Sequence, residues 1–250
     1  MRRFLFFLLL VVAASGLQSA FAQKVIEKSA TIGKNQRLFL NLRQASNIRI
    51  RSGSGNKMTV KTSVSINQNR LNDALLLTLD ESGDEVKLTS EFDKAMLRNA
   101  QPGDCPNGGS YYGDTYNTTI VNGKVSGGRD RDGNTVNQVC AVIEYEITVP
   151  ADVALRVSTI SGNIDIAGLT GALDVKSISG FVDVAWPDGK GADLSLKTIT
   201  GEVYTDQDIA FSNRKDNPMV GYQLRGTLKG SGPVVRLESI SNDVYFRKRK

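Results

Sequence analysis

The sequence predicts an all-β fold, a β-solenoid-like (parallel β-helix-type) stack of short strands with repeats of about 20 residues. Three observations predict it: a short pattern that recurs four times in the C-terminal third, the side-chain parity inside each copy, and alternating apolar residues through the first half. The four copies, called repeats 1 to 4, are residues 157–166, 175–184, 196–205 and 237–246.

Each repeat consists of an alternating apolar run, a short Ile-Ser/Thr-Gly or Ile-Ser-Asn step, and a second alternating run. The central isoleucines are Ile160, Ile178, Ile199 and Ile240, and their successive spacings are 18, 21 and 41 residues. The last spacing is close to two periods. Strand-like segments that recur at such a period are typical of stacked architectures.

The two runs of each repeat must be joined by a bend. In repeat 1 the step from Thr159 to Ile164 is five residues, so a straight strand would place its two apolar runs on opposite faces. A bend would direct both runs into one core. The predicted structural corners, expected to adopt positive φ, are Gly162, Gly180, Gly201 and Asn242. The inward side chains before them, expected to form a hydroxyl ladder, are Thr159, Ser177, Thr198 and Ser239.

Together with residues 143–157 and 221–246, the four repeats resemble the DUF4097-type adhesin domains of bacterial envelope proteins. The resemblance extends over roughly residues 36–250 and is most specific from residue 143 onward. It implies an all-β, solenoid-like fold and an exported location, and it implies no established chemistry. The chain departs from the family pattern in the wide spacing of repeats 3 and 4 and in a long loop flanked by cysteines.

The N-terminus has the pattern of a secretory signal peptide, residues 1–22. Arg2 and Arg3 precede an apolar run, and Ala20-Phe21-Ala22 is a small-x-small cleavage site. We therefore expect an exported protein, in the periplasm or at the cell surface, with no transmembrane anchor after cleavage. Residues 23–250 then form a single adhesin-type domain with its repeat region at 155–246.

The pattern of the first half also predicts short strands. Apolar residues alternate through residues 24–66, and a turn signal lies at residues 52–56. One helical turn is predicted within residues 67–74, followed by strands at Leu75–Asp80 and Glu85–Phe92. No stretch has the composition of a domain linker, which favours one domain.

Residues 101–139 form a glycine-rich loop insertion, with eight glycines among 39 residues. Cys105 and Cys140, the only cysteines of the chain, flank it. In an oxidising compartment two cysteines most simply pair, so we predict a disulfide that closes the loop. Tyr111, Tyr112 and Tyr116 lie among small polar residues. They are candidates either for partner binding or for capping the open end of the fold.

The composition excludes several kinds of site. The chain contains no histidine, which excludes Ser-His-Asp triads and histidine-based zinc sites. We expect no catalytic residues, no cofactor and no metal; Asp130–Asn134 is interpreted as a turn rather than a calcium loop. Asp165 and Asp183 lie at matching positions of consecutive repeats. They are the candidates for a glycoside-cleaving pair if the protein is a carbohydrate-active enzyme.

The sequence therefore favours a non-catalytic, exported cell-envelope protein, an adhesin or a binding or structural module. Its partner would be an envelope protein or a polysaccharide, and we expect no binding to nucleic acid because the basic residues do not form a clustered face. Two alternatives remain open at this stage. One is a regulatory or stress-associated accessory that binds another envelope protein through the tyrosine loop or the basic tail at residues 247–250. The other, less favoured, is a carbohydrate-active β-helix enzyme.

Overall fold

The computed structural model describes residues 22–249, except 102–103, 107–109, 112–118, 122–123, 127, 130–134, 137 and 213–220. The fold is all-β, and most of its strands belong to two mixed sheets. The signal-peptide prediction for residues 1–22 falls almost entirely outside the described residues. Among the described residues, no helix has the length and hydropathy of a membrane-spanning segment.

Sheet 1 has eight strands. In spatial order they are β1 (Lys24–Thr31), β4 (Lys57–Ile66), β13 (Ala141–Pro150), β3 (Asn47–Gly53), β15 (Asn163–Ala167), β17 (Val182–Trp186), β23 (Val244–Lys248) and β19 (Val203–Thr205). From β3 to β19 all neighbouring strands are parallel.

Sheet 2 has nine strands. In spatial order they are β20 (Ile209–Phe211), β21 (Tyr222–Leu228), β18 (Ala192–Thr198), β22 (Val234–Ser239), β16 (Leu173–Ser177), β14 (Leu155–Thr159), β2 (Arg37–Leu42), β6 (Glu85–Phe92) and β5 (Leu75–Asp80). The strands from β18 to β6 are parallel, whereas the pairs at the two ends of the sheet are antiparallel.

The remaining elements are short. A 3-10 turn occupies Asn72–Ala74, and helix α1 occupies Lys94–Leu97, where the side chain of Asp93 accepts hydrogen bonds from the first helical N–H groups. Three two-stranded ribbons lie in the loop insertion. They consist of β7 (Ser110–Tyr111) with β12 (Gln138–Val139), β8 (Thr119–Val121) with β9 (Lys124–Ser126), and β10 (Gly128–Arg129) with β11 (Thr135–Val136). The strands predicted at Leu75–Asp80 and Glu85–Phe92 are confirmed at those boundaries.

Each repeat contributes its first run to sheet 2 and its second run to sheet 1. The equivalent positions of the repeats pair directly: Leu155 is opposite Leu173, which is opposite Val235, which is opposite Leu194. The predicted parity is confirmed, because both runs of each repeat point into one core. In β14 and β15 the buried set is Leu155, Val157, Thr159, Ile164 and Ile166.

The stack contains one more unit than the sequence pattern revealed. Strands β2 and β3 follow one another as the two runs of a repeat do, and they pair in register with repeat 1, Leu38 with Leu155 and Ile48 with Ile164. This N-terminal repeat was not recognised from the sequence because its turn contains neither the Ile-Ser-Gly step nor a glycine.

The spatial order of the repeats differs from their order in the chain. In both sheets it is N-terminal repeat, repeat 1, repeat 2, repeat 4, repeat 3. After repeat 3 the chain passes through β20 and β21, which extend sheet 2 beyond β18, and β22 then returns to lie between β16 and β18. This excursion explains the 41-residue spacing between the last two central isoleucines.

The corner residues lie where predicted, between the two strands of each repeat, but the predicted backbone conformation is wrong. Gly162, Gly180, Gly201 and Asn242 are not among the described residues with positive φ. Three of these positions need glycine because the backbones of adjacent repeats approach closely. A Cβ on Gly162 would lie 2.8 Å from the Cβ of Ala45, and one on Gly180 would overlap the carbonyl oxygen of Gly162.

Candidate binding surface

Three aromatic side chains form a row across the outer face of sheet 1. Phe181 lies just before β17, and Tyr245 and Tyr204 lie opposite each other on β23 and β19. The rings of Tyr204 and Tyr245 are stacked, with centroids 5.1 Å apart and planes 14° from parallel, and Phe181 meets Tyr245 edge to face at 6.1 Å. We call these three residues the aromatic row.

The row ends in an accessible ring. Tyr204 is 44% exposed, and its strand β19 is the edge strand of sheet 1. One face of the Tyr204 ring is covered by Tyr245, so the opposite face is turned toward the open edge of the sheet. An exposed aromatic face with a polar tip suits recognition of ligands that are partly apolar and partly hydroxylated.

Carboxylates hold both tyrosine hydroxyl groups. Tyr204 donates to Glu202 Oε2 at 2.9 Å, and Tyr245 donates to Asp243 Oδ2 at 3.0 Å. The hydrogen bond to Glu202 raises the pKa of Tyr204, and the hydrogen bond to Asp243 raises the pKa of Tyr245, because each bond favours the neutral phenol. Both rings are thereby fixed in orientation, and each carboxylate retains lone pairs for hydroxyl groups of a ligand.

Two arginine–aspartate pairs lie beside the row. Arg51 donates from Nη1 to Asp165 Oδ1 at 3.0 Å and from Nη2 to Oδ2 at 2.6 Å. Arg247 also forms a bidentate pair with Asp183, donating from Nε to Oδ1 at 3.0 Å and from Nη2 to Oδ2. The hydrogen bonds to Asp183 raise the pKa of Arg247. Asp165 and Asp183, the pair considered for glycoside cleavage, are directly opposite each other in the sheet, but each has both oxygens engaged by a guanidinium group.

Backbone hydrogen bonds restrain the basic tail, which its sequence did not indicate. Arg247 and Lys248 belong to β23, the backbone N–H of Lys248 donates to Asp206 Oδ1 at 2.6 Å, and that of Arg249 donates to the carbonyl of Trp186 at 2.9 Å. The tail is therefore tied to the sheet at least to Arg249, although the side chains of all three residues are exposed.

The predicted disulfide between Cys105 and Cys140 is confirmed, with Cα atoms 5.6 Å apart. It closes the base of the loop insertion beside a turn in which Asn67, Gln68 and Asn69 all have positive φ. Consecutive left-handed residues other than glycine are strained. Asn67 holds the turn in place, because its N–H donates to the carbonyl of Cys140 and its Oδ1 accepts from the N–H of Cys140.

A buried carboxylate completes this anchor. Asp104 accepts from Asn67 Nδ2 at 3.2 Å and from the N–H of Gln101 at 2.8 Å, and it forms an ion pair with Arg70. Because these contacts occupy the buried carboxylate, the cluster serves to fix the loop base to the sheets rather than to present a reactive group.

The three tyrosines of the loop insertion lie partly outside the described residues. Tyr111 lies on β7, which pairs with β12, while Tyr112 and Tyr116 are outside the described residues, as is Asp130–Asn134. A binding role for these tyrosines stays a prediction. In the described ranges no group of three or more acidic or cysteine side chains could hold a metal ion.

The aromatic row was not predicted. The sequence did show that Tyr204 and Tyr245 occupy the position held by an aspartate in repeats 1 and 2. The missing information was that repeats 3 and 4 are neighbours in the sheet, which brings the two rings into contact.

No protein-family model matches the chain. No curated protein matches it either. Among solved structures, a "putative cell adhesion protein" from Clostridium sporogenes aligns at 12% identity and a TM-score of 0.49, covering 91% of this chain and all of that one. A "putative adhesin" from Bacteroides fragilis aligns at 10% identity and a TM-score of 0.31, covering 91% and 98%. Similarities of this size carry no argument about function, and membership of the DUF4097-type family stays a prediction.

Proposed function

We propose that this protein is a non-catalytic, exported module of the bacterial cell envelope, of the adhesin type, that binds a glycan at the aromatic row. The observation that carries the proposal is the stack of Phe181, Tyr245 and Tyr204 at the edge of sheet 1, with the open ring face of Tyr204 beyond it. The apolar face of a pyranose ring packs on such an aromatic face, and Glu202 and Asp243 lie beside it to accept hydrogen bonds from sugar hydroxyl groups.

A binding role is favoured over catalysis by the state of the nearby carboxylates. A glycosidase needs one carboxyl group that donates a proton and a second that acts as base or nucleophile. Asp165 and Asp183 instead accept paired hydrogen bonds from Arg51 and Arg247. Neither oxygen of either group is available to deliver a proton to a glycosidic oxygen.

Export is supported by two features of the chain. The N-terminal residues have the signal-peptide pattern, and the Cys105–Cys140 disulfide is a bond that persists in oxidising compartments. The in-register parallel pairing of the repeats supports a solenoid-like class for the stack, although repeat 4 lies between repeats 2 and 3. We place the protein in the periplasm or on the cell surface.

The test is binding of the mature chain to an array of neutral oligosaccharides, followed by calorimetry on the strongest ligand. Tyr204→Ala removes the open ring face and should weaken binding about 5- to 150-fold, because stacking of a ring on an aromatic side chain is worth about 1–3 kcal/mol. Tyr204→Phe keeps the ring and should retain most of the affinity. Val234→Ala, at another exposed apolar residue, is the matched surface control.

Two results would refute the proposal. One is the absence of binding to any glycan of the array by folded protein. The other is binding that Tyr204→Ala leaves unchanged while circular dichroism shows an intact β structure.

A further inference from the structure

Strand β5 forms one edge of sheet 2 and presents backbone groups there that are not paired within the sheet. Its pairing with β6 continues to Ala74, whose carbonyl accepts from the N–H of Asp93 at 2.8 Å. Residues of an antiparallel pair alternate between bonding to the partner strand and pointing away from it. The N–H and C=O groups of Leu77 and Leu79 therefore point to the free edge, where they bond to no residue that the structure describes.

The other three edge strands of the two large sheets are protected against pairing with a further strand. Strands β19 and β20 contain three residues each, and β1 carries Lys24, Glu27 and Lys28. Short edges and charged side chains are the usual protection of a sheet edge. The sequence of β5 is Leu-Leu-Leu-Thr-Leu-Asp, with its one charge at the last position. Strand β5 is therefore the edge that is open to an added strand.

Beyond the N-terminal repeat, sheet 1 is one strand longer than sheet 2. It continues from β3 through β13, β4 and β1, whereas sheet 2 continues from β2 through β6 and β5. The inner face of β1 therefore extends past β5, over a position that no described strand occupies. Ile26 on β1 and Leu77 and Leu79 on β5 are only partly buried at this end of the core. One added strand beside β5 would complete their burial.

We propose that β5 is a site of strand addition, which takes an extended segment of a partner protein with apolar side chains at alternate positions. The main chain of the segment pairs with the N–H and C=O groups of Leu77 and Leu79. Its apolar side chains enter the space between the two sheets and contact Ile26. The site goes beyond the proposed function, because it lies at the opposite end of the stack from Tyr204 and recognises a peptide backbone instead of a glycan.

The strand count favours one extended segment over a second folded copy of this chain. In a two-fold dimer paired through β5, sheet 2 would run continuously from one copy into the other. Because β4 is the strand of sheet 1 above β5, the β1 strand of each copy would then occupy the place of the other copy's β4. A single extended segment fits beside β5 without that overlap.

The test is titration of the mature, isotope-labelled chain with a capped synthetic peptide of alternating valine and threonine, six residues long like β5. We expect the peptide to bind, and the amide protons of Leu77 and Leu79 to exchange with solvent about tenfold more slowly in the complex, because they enter hydrogen bonds. The same peptide with proline at its two central positions should bind about tenfold more weakly, since proline has no N–H to donate.

Leu77→Pro tests the edge from the side of the protein. It removes an N–H that points to the free edge and leaves the hydrogen bonds between β5 and β6 in place, so the peptide should bind about tenfold more weakly. The matched control is Ser29→Pro on β1. The N–H of Ile32 donates to the carbonyl of Asn56 at 2.7 Å, so by the same alternation the N–H of Ser29 points away from β4. This variant should bind the peptide as the parent protein does.

Tyr204→Ala separates this site from the aromatic row, because that variant should keep its full affinity for the peptide. The proposal is overturned if the peptide does not bind, if the proline peptide binds equally well, or if Leu77→Pro behaves as Ser29→Pro does. Unchanged exchange at Leu77 and Leu79 in the complex would also overturn it, and that measurement does not depend on the folding of any variant. Sedimentation that shows a dimer abolished by Leu77→Pro would overturn it in favour of a second copy at β5.

Discussion

Tyr145 carries a polar group into the core of sheet 1. The residue is 1% exposed, and its hydroxyl donates to the carbonyl of Gln44 at 3.3 Å. Burial raises the pKa of Tyr145 to about 12, because the phenolate would lose its hydration in the core. A tyrosine in the unfolded chain ionises near pH 10.

This difference between the pKa of Tyr145 in the folded and in the unfolded state makes the free energy of unfolding depend on pH in the alkaline range. Below pH 10 the phenol of Tyr145 is neutral in both the folded and the unfolded state, and its full contribution to the free energy of unfolding is present. As pH rises from about 10 to 12 the unfolded state loses its proton first, so the free energy of unfolding falls, by about 2–3 kcal/mol for a shift of about two units. Tyr145→Phe should cost about 1 kcal/mol at neutral pH through the lost hydrogen bond and should unfold with a shallower alkaline fall.

Urea unfolding of both proteins at neutral pH and at several values between 10 and 12 measures the effect. The titrations of Tyr204 and Tyr245 are common to the two proteins and cancel in the comparison. Parallel pH profiles for the two proteins would show that Tyr145 does not control the alkaline fall.

At the scale of the strand pair, the turns of adjacent repeats are joined by buried hydroxyl groups. In repeat 3, Thr198 Oγ1 accepts from the N–H of Gly201 at 3.0 Å and donates to the carbonyl of Asn242 in repeat 4 at 2.8 Å. Ser239 makes the same two contacts from repeat 4 to repeat 2, and Ser177 makes them from repeat 2 to repeat 1. Each hydroxyl thus closes its own turn and binds the next one.

Thr159 of repeat 1 occupies the same position, but its buried hydroxyl has no hydrogen-bond partner among the described residues. This contrast allows one substitution to be compared at two sites. Thr198→Val should reduce the free energy of unfolding by about 1–3 kcal/mol, because it leaves a buried N–H and a buried C=O unpaired. Thr159→Val should be close to neutral or slightly stabilising, since it removes an unpaired buried hydroxyl.

Chemical denaturation of the two variants and of the parent protein distinguishes the loss of hydrogen bonds from a packing effect of valine. A loss at position 159 equal to that at position 198 would mean that the destabilisation comes from the packing of valine at this turn. In that case the hydroxyl ladder would not contribute the stability assigned to it.

The sequence was sufficient for those features that depend on neighbours along the chain. Alternation within 155–166 predicted two inward runs and a bend, and the position of Thr159 before the bend predicted a buried hydroxyl. It was insufficient for features that depend on which repeats are adjacent. The need for glycine at position 180 comes from the carbonyl of Gly162 in the next repeat, and the aromatic row comes from the contact of repeats 3 and 4.

At the scale of the whole molecule, the last segment of the chain lies inside both sheets. Strand β22 separates β16 from β18, and β23 separates β17 from β19. Repeat 3 is therefore paired with repeat 4, and not with repeat 2, in both sheets. The stack can be completed only when the C-terminal residues are present.

Deletion of residues 234–250 should consequently abolish cooperative folding. The deletion removes four fully buried apolar side chains, Val235, Leu237, Val244 and Phe246. At about 1.5–3 kcal/mol each, their burial is comparable to the whole stability of a typical domain, about 5–15 kcal/mol. It also leaves β16, β17 and β18 each without one neighbour, and it leaves the edge strand β19 without its neighbour β23.

Deletion of residues 23–31 is the matched control, because it removes the edge strand β1, whose buried apolar residue in the described structure is Ala30. We expect the shortened chain to keep a cooperative urea transition with a stability lower by a few kcal/mol. Circular dichroism and urea unfolding of the two deletions compare an edge strand with a central one. A cooperative transition after deletion of 234–250 would mean that repeats 2 and 3 can join directly, and that repeat 4 is not needed to hold them in the stack.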